Sequence, residues 1–281
     1  MAWVRFVVMA IAFVVTIIVL VPAQWLFLKF GFGPREKTPM IFHAAVCRLL
    51  GFRIHVHGEM AEGRPLLLTA NHTSWTDIVI LGSLRKMAFI AKAEVAKWPL
   101  FGMLAKLQRT VFIERERRGK THHQASEIAL RLAAGDAMVL FAEGTTNDGN
   151  RVLPFKTSLF GAAQVAIRDA DVETVTVQPV AIAYTRIHGI PMGRAHRPLV
   201  AWPGDVPLGP SLIGLLKEGA VDVDVWFGEP VVIDGKSDRK ALARTIEGRV
   251  RAMVQTSLMG RDLVSVNESG GEAILKAAKT G

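Results

Sequence analysis

The 281-residue sequence has one cysteine, Cys47, and one tyrosine, Tyr184. A lone thiol excludes a disulfide framework within the chain and a thiolate cluster for zinc. Beside Ala44, Ala45, Val46 and Leu49, Cys47 reads as a buried apolar side chain. Aromatic residues make up only 7% of the chain. With no RNP, finger or basic-zipper pattern present, nucleic acid is not the expected partner. Also missing are His-Glu-x-x-His, the Gly-x4-Gly-Lys-Ser/Thr loop and Gly-x-Gly-x-x-Gly, together with the metal and nucleotide chemistry they carry. Without a Gly-x-Ser-x-Gly elbow a serine acyl-enzyme is not expected. His55 and His57 would share one strand face, but no third ligand accompanies them, so no metal is expected. His122 and His123 open a helix and read as solvated.

Hydrophobic residues reach 50%, and much of the excess lies in the first thirty positions. From Phe6 to Leu28 run 23 uncharged residues, long enough to cross a hydrocarbon core of about 30 Å as a helix. Pro22 and Gln24 interrupt the run, leaving Phe6 to Val21 cleanly apolar. An uncleaved anchor or embedded hairpin over 1–30 is expected. A signal peptide cut near Val21-Pro22-Ala23 is one alternative. A membrane-surface helix is the other, although no polar face supports it. Lys29, Arg35, Lys37 and Arg48 follow the run and only Arg5 precedes it, which places the domain on the cytoplasmic side.

The net charge of +9 calls for an anionic partner. Ten Lys or Arg against three Glu fall between Arg85 and Lys120, a local excess of +7. Beside an anchor, an anionic membrane surface or an acidic substrate carrier suits this segment; a solvated helix face accounts for some of its lysines.

Short apolar runs alternate with helical periodicity along the rest of the chain. Strands are expected at 53–57, 65–70, 87–91, 110–113, 137–141, 175–183 and 221–227. Helices are expected at 38–50, from Ser74 toward Leu84, and at 97–107, 124–132 and 159–167. A last helix, capped by Ser237 or Asp238, runs to Met253. Pro179 should put its strand at an edge or a bulge. This order predicts an α/β fold: a single domain over 38–258 with a mostly parallel mixed sheet flanked by helices, plus the N-terminal membrane helix. A polar tail, 259–281, follows.

The chemistry concentrates in Asn71-His72-Thr73-Ser74-Trp75-Thr76-Asp77, where a buried strand gives way to a helix. A neutral imidazole can take a proton from an alcohol, and a carboxylate on its other nitrogen fixes the tautomer. Five residues on a regular helix turn about 500°, leaving side chains roughly 140° apart. His72 and Asp77 therefore meet only if His72 precedes the helix and Asp77 lies in its first turn. Ser74-x-x-Asp77 is equally a capping box, in which Asp77 merely closes a helix end.

The blocks that follow resemble, in order, those of the lysophospholipid acyltransferase family, also called the 1-acylglycerol-3-phosphate acyltransferase family. The resemblance runs from about Arg53 to Tyr184. His72 and Asp77 fall on the family's Asn-His-x4-Asp block. Phe89-Ile90-Ala91-Lys92-Ala93-Glu94 with Pro99 and Gly102 is similar to a second block, and Val111-Phe112-Ile113 with Arg115 to a third. Phe141-Ala142-Glu143-Gly144-Thr145 resembles Phe-Pro-Glu-Gly-Thr-Arg. Pro154-Phe155-Lys156 and Val177-Gln178-Pro179-Val180 match two later landmarks.

The resemblance implies acyl transfer from a thioester, acyl-CoA or acyl carrier protein, to a lysolipid hydroxyl. No cofactor is implied, and membrane lipids are the surroundings. His72 would be the base and Asp77 its orienting partner. Arg115 would bind the acceptor phosphate through its planar fork, with Arg118 assisting. Glu143 would hold the acceptor hydroxyl or orient Arg115, or else only complement a helix N-terminus. Gly144 lets the backbone come close, Thr145 adds a hydroxyl, and Lys156 completes the substrate-binding set. Thr146 stands where the family has arginine and Ala142 where it has proline. The expected acceptor is 1-acyl-sn-glycerol-3-phosphate. Because Glu-Gly-Thr-Thr-Asn-Asp-Gly resembles the branch acting on lyso-ornithine lipid, whose head group lacks phosphate, that acceptor stays open. A non-catalytic lipid-binding membrane protein is the rival of another class; it would need neither His72 nor Asp77.

Overall fold

The computed structural model describes residues 2–113, 127–169, 172–203 and 208–260. The chain opens with α1 (Ala2–Phe30), a helix that continues unbroken through Pro22. Its stretch Val7–Phe30 contains an 18-residue window of mean hydropathy 2.6 with 11% of it buried, so it is long and apolar enough to cross a membrane. Gln24 does not end the helix but fastens it. Its Nε2 donates to Arg35 O at 2.8 Å and to Leu107 O at 3.1 Å. A chain turn brings α2 (Lys37–Leu50) back against α1. Gly51 closes α2 at φ +74, where a Cβ would meet Ala220 N at 2.7 Å; only glycine fits that stop.

The remaining elements are β1 (Phe52–His57), β2 (Leu66–Ala70), α3 (Thr76–Leu84), β3 (Ala88–Lys92), α4 (Phe101–Leu107) and β4 (Val111–Ile113). After helical residues 127–133 (α5) come β5 (Ala137–Phe141), α6 (Gly161–Asp169), β6 (Val175–Ile187) and β7 (Ile190–Pro191). The chain ends with α7 (Leu208–Glu218), β8 (Val221–Phe227), β9 (Val231–Ile233) and α8 (Arg239–Met259). The strands form one mixed sheet in the order β1-β8-β6-β2-β5-β3-β4. From β6 to β4 the neighbours are parallel, whereas β8, β7 and β9 pair antiparallel to β6.

Every residue of β2 and β5 is buried, as central parallel strands require when both faces carry helices. Leu66, Leu68, Val139 and Phe141 pack toward α2, α3 and α7. Leu67, Met138 and Leu140 pack toward α5, α6 and α8. Each such leucine, at most 2% exposed, contributes about 1.5–3 kcal/mol by leaving water. This core fixes where β2 and β5 end, and both end at the same edge of the sheet, where α/β proteins place their ligands.

Three expectations need correcting. Pro179 lies in β6, an interior strand, rather than at an edge. It sits where the partner of β6 changes from β9, ending at Val177↔Val231, to β8, starting at Val180↔Phe227. Its missing N–H therefore falls in the gap, while its carbonyl accepts from Gly228 N at 2.9 Å. The helix expected over 97–107 is a 3-10 turn, Ala93–Lys97, followed by α4, because Pro99 and a Leu100 φ of +61 break it. The last helix is capped by Asp238, which accepts from Lys240 N, but it runs to Met259 before Gly260 stops it. Of the expected tail, residues 261–281 lie outside the described residues.

Candidate active site

After Ala70 the chain leaves β2 as an extended loop, and α3 starts only at Thr76. Asn71 secures this exit by acting as one more strand residue. Its Nδ2 donates to Ile182 O at 2.9 Å and its Oδ1 accepts from Ile182 N at 2.8 Å. His72 is thus off the helix and Asp77 in its first turn, the arrangement the helical rotation demanded. His72 Nδ1 lies 2.8 Å from Asp77 Oδ2. The same oxygen accepts from Thr73 N at 2.7 Å and Ser74 N at 2.9 Å. Ser74 is not the N-cap: Trp75 precedes the helix, and Ser74 Oγ stands 3.5 Å from Thr76 N. The two readings of Asp77 turn out to be one structure, since its carboxylate ties the loop amides and the imidazole together.

Asp77 is 0% exposed, so its second oxygen also needs a donor. Tyr184 supplies it, with its hydroxyl 2.6 Å from Asp77 Oδ1 and 2.6 Å from Thr76 Oγ1. Burial first, and then the charge of Asp77, push the phenol further above its ordinary range, so it stays protonated and donates. The His72 ring stacks on Phe141 with centroids 3.9 Å apart and planes 14° off parallel. Its side chain keeps 16% exposure. Nε2 makes no hydrogen bond with the described residues. An acceptor-only carboxylate on one side puts the ring proton on Nδ1 and leaves Nε2 as the basic lone pair.

Glu143 follows β5 as His72 follows β2, and it is 1% exposed. Its Oε1 accepts from the His72 backbone N–H at 2.9 Å. Its Oε2 accepts from Asn147 Nδ2 at 2.6 Å and Leu153 N at 3.1 Å. In the structure both oxygens accept from protein donors, and through the His72 N–H Glu143 braces the histidine loop. Burial pushes its carboxyl up to about 7, against the pull of these three donors and helped by the charge of Asp77. Unfolded, the group returns to the ordinary range near 4.5. A raised folded value means the native state holds the proton more tightly, so stability is full below about 4.5 and declines as pH rises to about 7. Relative to Glu143→Gln, the wild type should therefore lose on the order of 3 kcal/mol of stability between pH 4.5 and pH 8. Unfolding in detergent measures this difference, and an equal gap at both ends would remove the buried acid.

Gly144 turns the loop at φ +73. Thr145 is half-buried, its Oγ1 3.5 Å from Thr146 O. Lys156 exposes its side chain while its N–H pins Ala142 O at 2.9 Å. Arg115 and Arg118 lie outside the described residues. The strand before them, β4, is parallel to β3 and ends at the same edge as β2. Past Thr146, Asn147 Oδ1 accepts from Gly149 N at 2.7 Å. At φ +74 Gly149 packs so near Thr73 Cγ2 that a Cβ would stand 3.1 Å from it.

Sequence reasoning quoted Asn71, Phe141 and Asn147 within motifs but gave them no role, and it gave Tyr184 none. Tyr184 had one available signal: it shares a β6 face with Val180 and Ile182, four and two residues away. The strand histidines pair across to β8, His55 with Asp222 at 3.0 Å and His57 with Asp224 at 3.5 Å. Among the described residues no group of three His, Cys, Asp or Glu is placed to hold a metal.

Residues 53–183 match the Acyltransferase family model. The chain is 65% identical over 244 residues to a lyso-ornithine lipid O-acyltransferase of Brucella abortus, covering 87% of this chain and 91% of that one. A protein of the same name from Rhizobium meliloti is 51% identical, covering 92% and 89%. A 1-acyl-sn-glycerol-3-phosphate acyltransferase of Neisseria gonorrhoeae is 33% identical, covering 70% and 73%. The crystal structure of the 1-acyl-sn-glycerophosphate acyltransferase PlsC from Thermotoga maritima superposes with a TM-score of 0.63 at 24% identity, over 91% of this chain and 97% of that one. That likeness shows a shared fold. With a histidine and a carboxylate joined at the end of β2 and relatives of such identity matched over most of its length, the chain belongs to the acyltransferase family.

Proposed function

We propose that this enzyme moves a fatty acyl group from a thioester to the hydroxyl of lyso-ornithine lipid. The observation that carries the chemistry is the 2.8 Å contact between His72 Nδ1 and Asp77 Oδ2. His72 Nε2 takes the proton of the lysolipid hydroxyl as that oxygen attacks the thioester carbonyl. The tetrahedral intermediate collapses, the carbon–sulfur bond breaks, and the departing sulfur takes the proton from His72. Asp77 stabilises the transient imidazolium, and Tyr184 and Glu143 hold Asp77 and the His72 backbone in place. Assistance of this kind is worth about 10²–10⁴ in rate, with positioning of two bound substrates supplying more.

Two observations support lyso-ornithine lipid over 1-acyl-sn-glycerol-3-phosphate, the acceptor put first on sequence grounds. Relatives named for the former reach 65% identity, against 33% for relatives named for the latter. Thr146 also removes a cation that a phosphomonoester would use. Arg115, Arg118 and Lys156 are then left to meet the acid of a zwitterionic head group. Acyl-CoA or an acyl carrier protein is the donor, drawn by the basic segment from Arg85 to Lys120. α1 keeps the site at the bilayer, on the cytoplasmic side that Lys29, Arg35 and Lys37 favour.

The purified protein, given labelled acyl thioester and both lysolipids, should acylate lyso-ornithine lipid at least ten times faster than 1-acyl-sn-glycerol-3-phosphate. A reversed preference would replace the acceptor. No transfer to either would leave the lipid-binding alternative.

A further inference from the structure

The parallel strands also have a starting edge, opposite the one that bears His72. There a cavity of about 230 Å³ lies between the end of α1, the turn after it, and the residues that open β2, β3 and β5. Six cations line it: Arg35, Arg64, Arg85, Lys86, Arg109 and Arg131. Two carboxylates oppose them. Lys86 Nζ is 2.6 Å from Glu36 Oε1, while Arg131 bonds Asp136, which Arg109 approaches at 3.9 Å. Arg35, Arg64 and Arg85 face no carboxylate among the described residues. Arg64 enters β2 and His72 leaves it, so on the order of 15 Å of strand separates cavity and dyad.

From this geometry we infer a binding site for the phosphate of an anionic membrane lipid, distinct from the acceptor site. Arginine forks match phosphate oxygens, and Arg35 and Arg85 have no anion of their own among the described residues, while Arg64 Nη1 is held by the carbonyls of Ala61, Glu62 and Gly63. The cavity is lined by Gln24 of the apolar α1 and by Arg35 and Glu36 just after it, and cations that follow such a helix sit at head-group depth. Gln24 keeps Oε1 buried without a donor; a head-group hydroxyl, as in phosphatidylglycerol, satisfies that acceptor. A carrier protein would need a face of about 800 Å², whereas this is a recess of head-group size. The site stands apart from the question of which lysolipid is acylated.

The test titrates the full-length protein, in neutral detergent, with fluorescent short-chain phosphatidylglycerol and with phosphatidylcholine of the same chains. Phosphatidylglycerol should bind at least ten-fold tighter. Arg35→Gln with Arg85→Gln should weaken it about ten-fold, leaving the melting temperature unchanged. Arg35→Lys with Arg85→Lys, which keeps the charge but not the fork, should recover only part of the binding. Equal affinity in the wild type and the glutamine variant overturns the site. So does displacement of the lipid by inorganic phosphate or by acyl carrier protein, which would assign the cavity to a soluble anion or to the donor.

Discussion

Replacing His72 by alanine should lower acyl transfer by roughly 10³–10⁴ while membrane association and folding persist. The imidazole keeps its Nε2 lone pair free of hydrogen bonds to the described residues, and its other nitrogen is already held. The contacts that shape the loop do not depend on it. Glu143 grips the His72 backbone N–H, and Asp77 grips the N–H groups of Thr73 and Ser74, all of which alanine keeps. What disappears is the ring stacked on Phe141, so a small loss of stability accompanies a large loss of rate. Labelled acyl transfer, membrane fractionation and a melting curve separate these effects. Activity within ten-fold of wild type would end the general-base mechanism.

The second large effect is expected from Asp77→Asn, which should cost about 10²–10⁴ in turnover with little change in the Michaelis constants. The substitution is isosteric, and the network can adapt to it. The amide oxygen can face the three donors now on Oδ2, and the amide nitrogen can face Tyr184, whose proton then goes to Thr76 Oγ1. Only the charge that stabilises the imidazolium is lost. Asp77→Ala differs because it strands those buried donors, at about 1–3 kcal/mol for each, and should fold poorly. Steady-state kinetics on the folded asparagine variant decide the matter. Unchanged turnover would reduce Asp77 to a helix cap.

The layout of the fold was legible because its signals are local. Short, mainly apolar runs such as Leu66–Ala70 and Ala137–Phe141 read as strands covered on both faces. Gly51 and Asp238 marked helix ends that the structure keeps. Pro179 misled because the rule against interior proline concerns a missing hydrogen bond, and no sequence pattern reveals that β6 changes partner at that residue. Ser74 misled for a similar reason: the oxygen that captures the loop amides belongs to Asp77.

By itself the sequence determined that a histidine and an aspartate leave a buried strand five residues apart, within an α/β domain behind an apolar helix. Periodicity and spacing are properties of neighbouring residues, so they survive in one dimension. Only the tertiary structure decided what Glu143 and Tyr184 do, since they come from strands 71 and 107 residues away from their partners. The low dielectric of a closed core makes an unpaired carboxylate costly. Packing β6 and β5 on either side of β2 therefore brought the hydroxyl that holds Asp77 and the carboxyl that braces the His72 backbone.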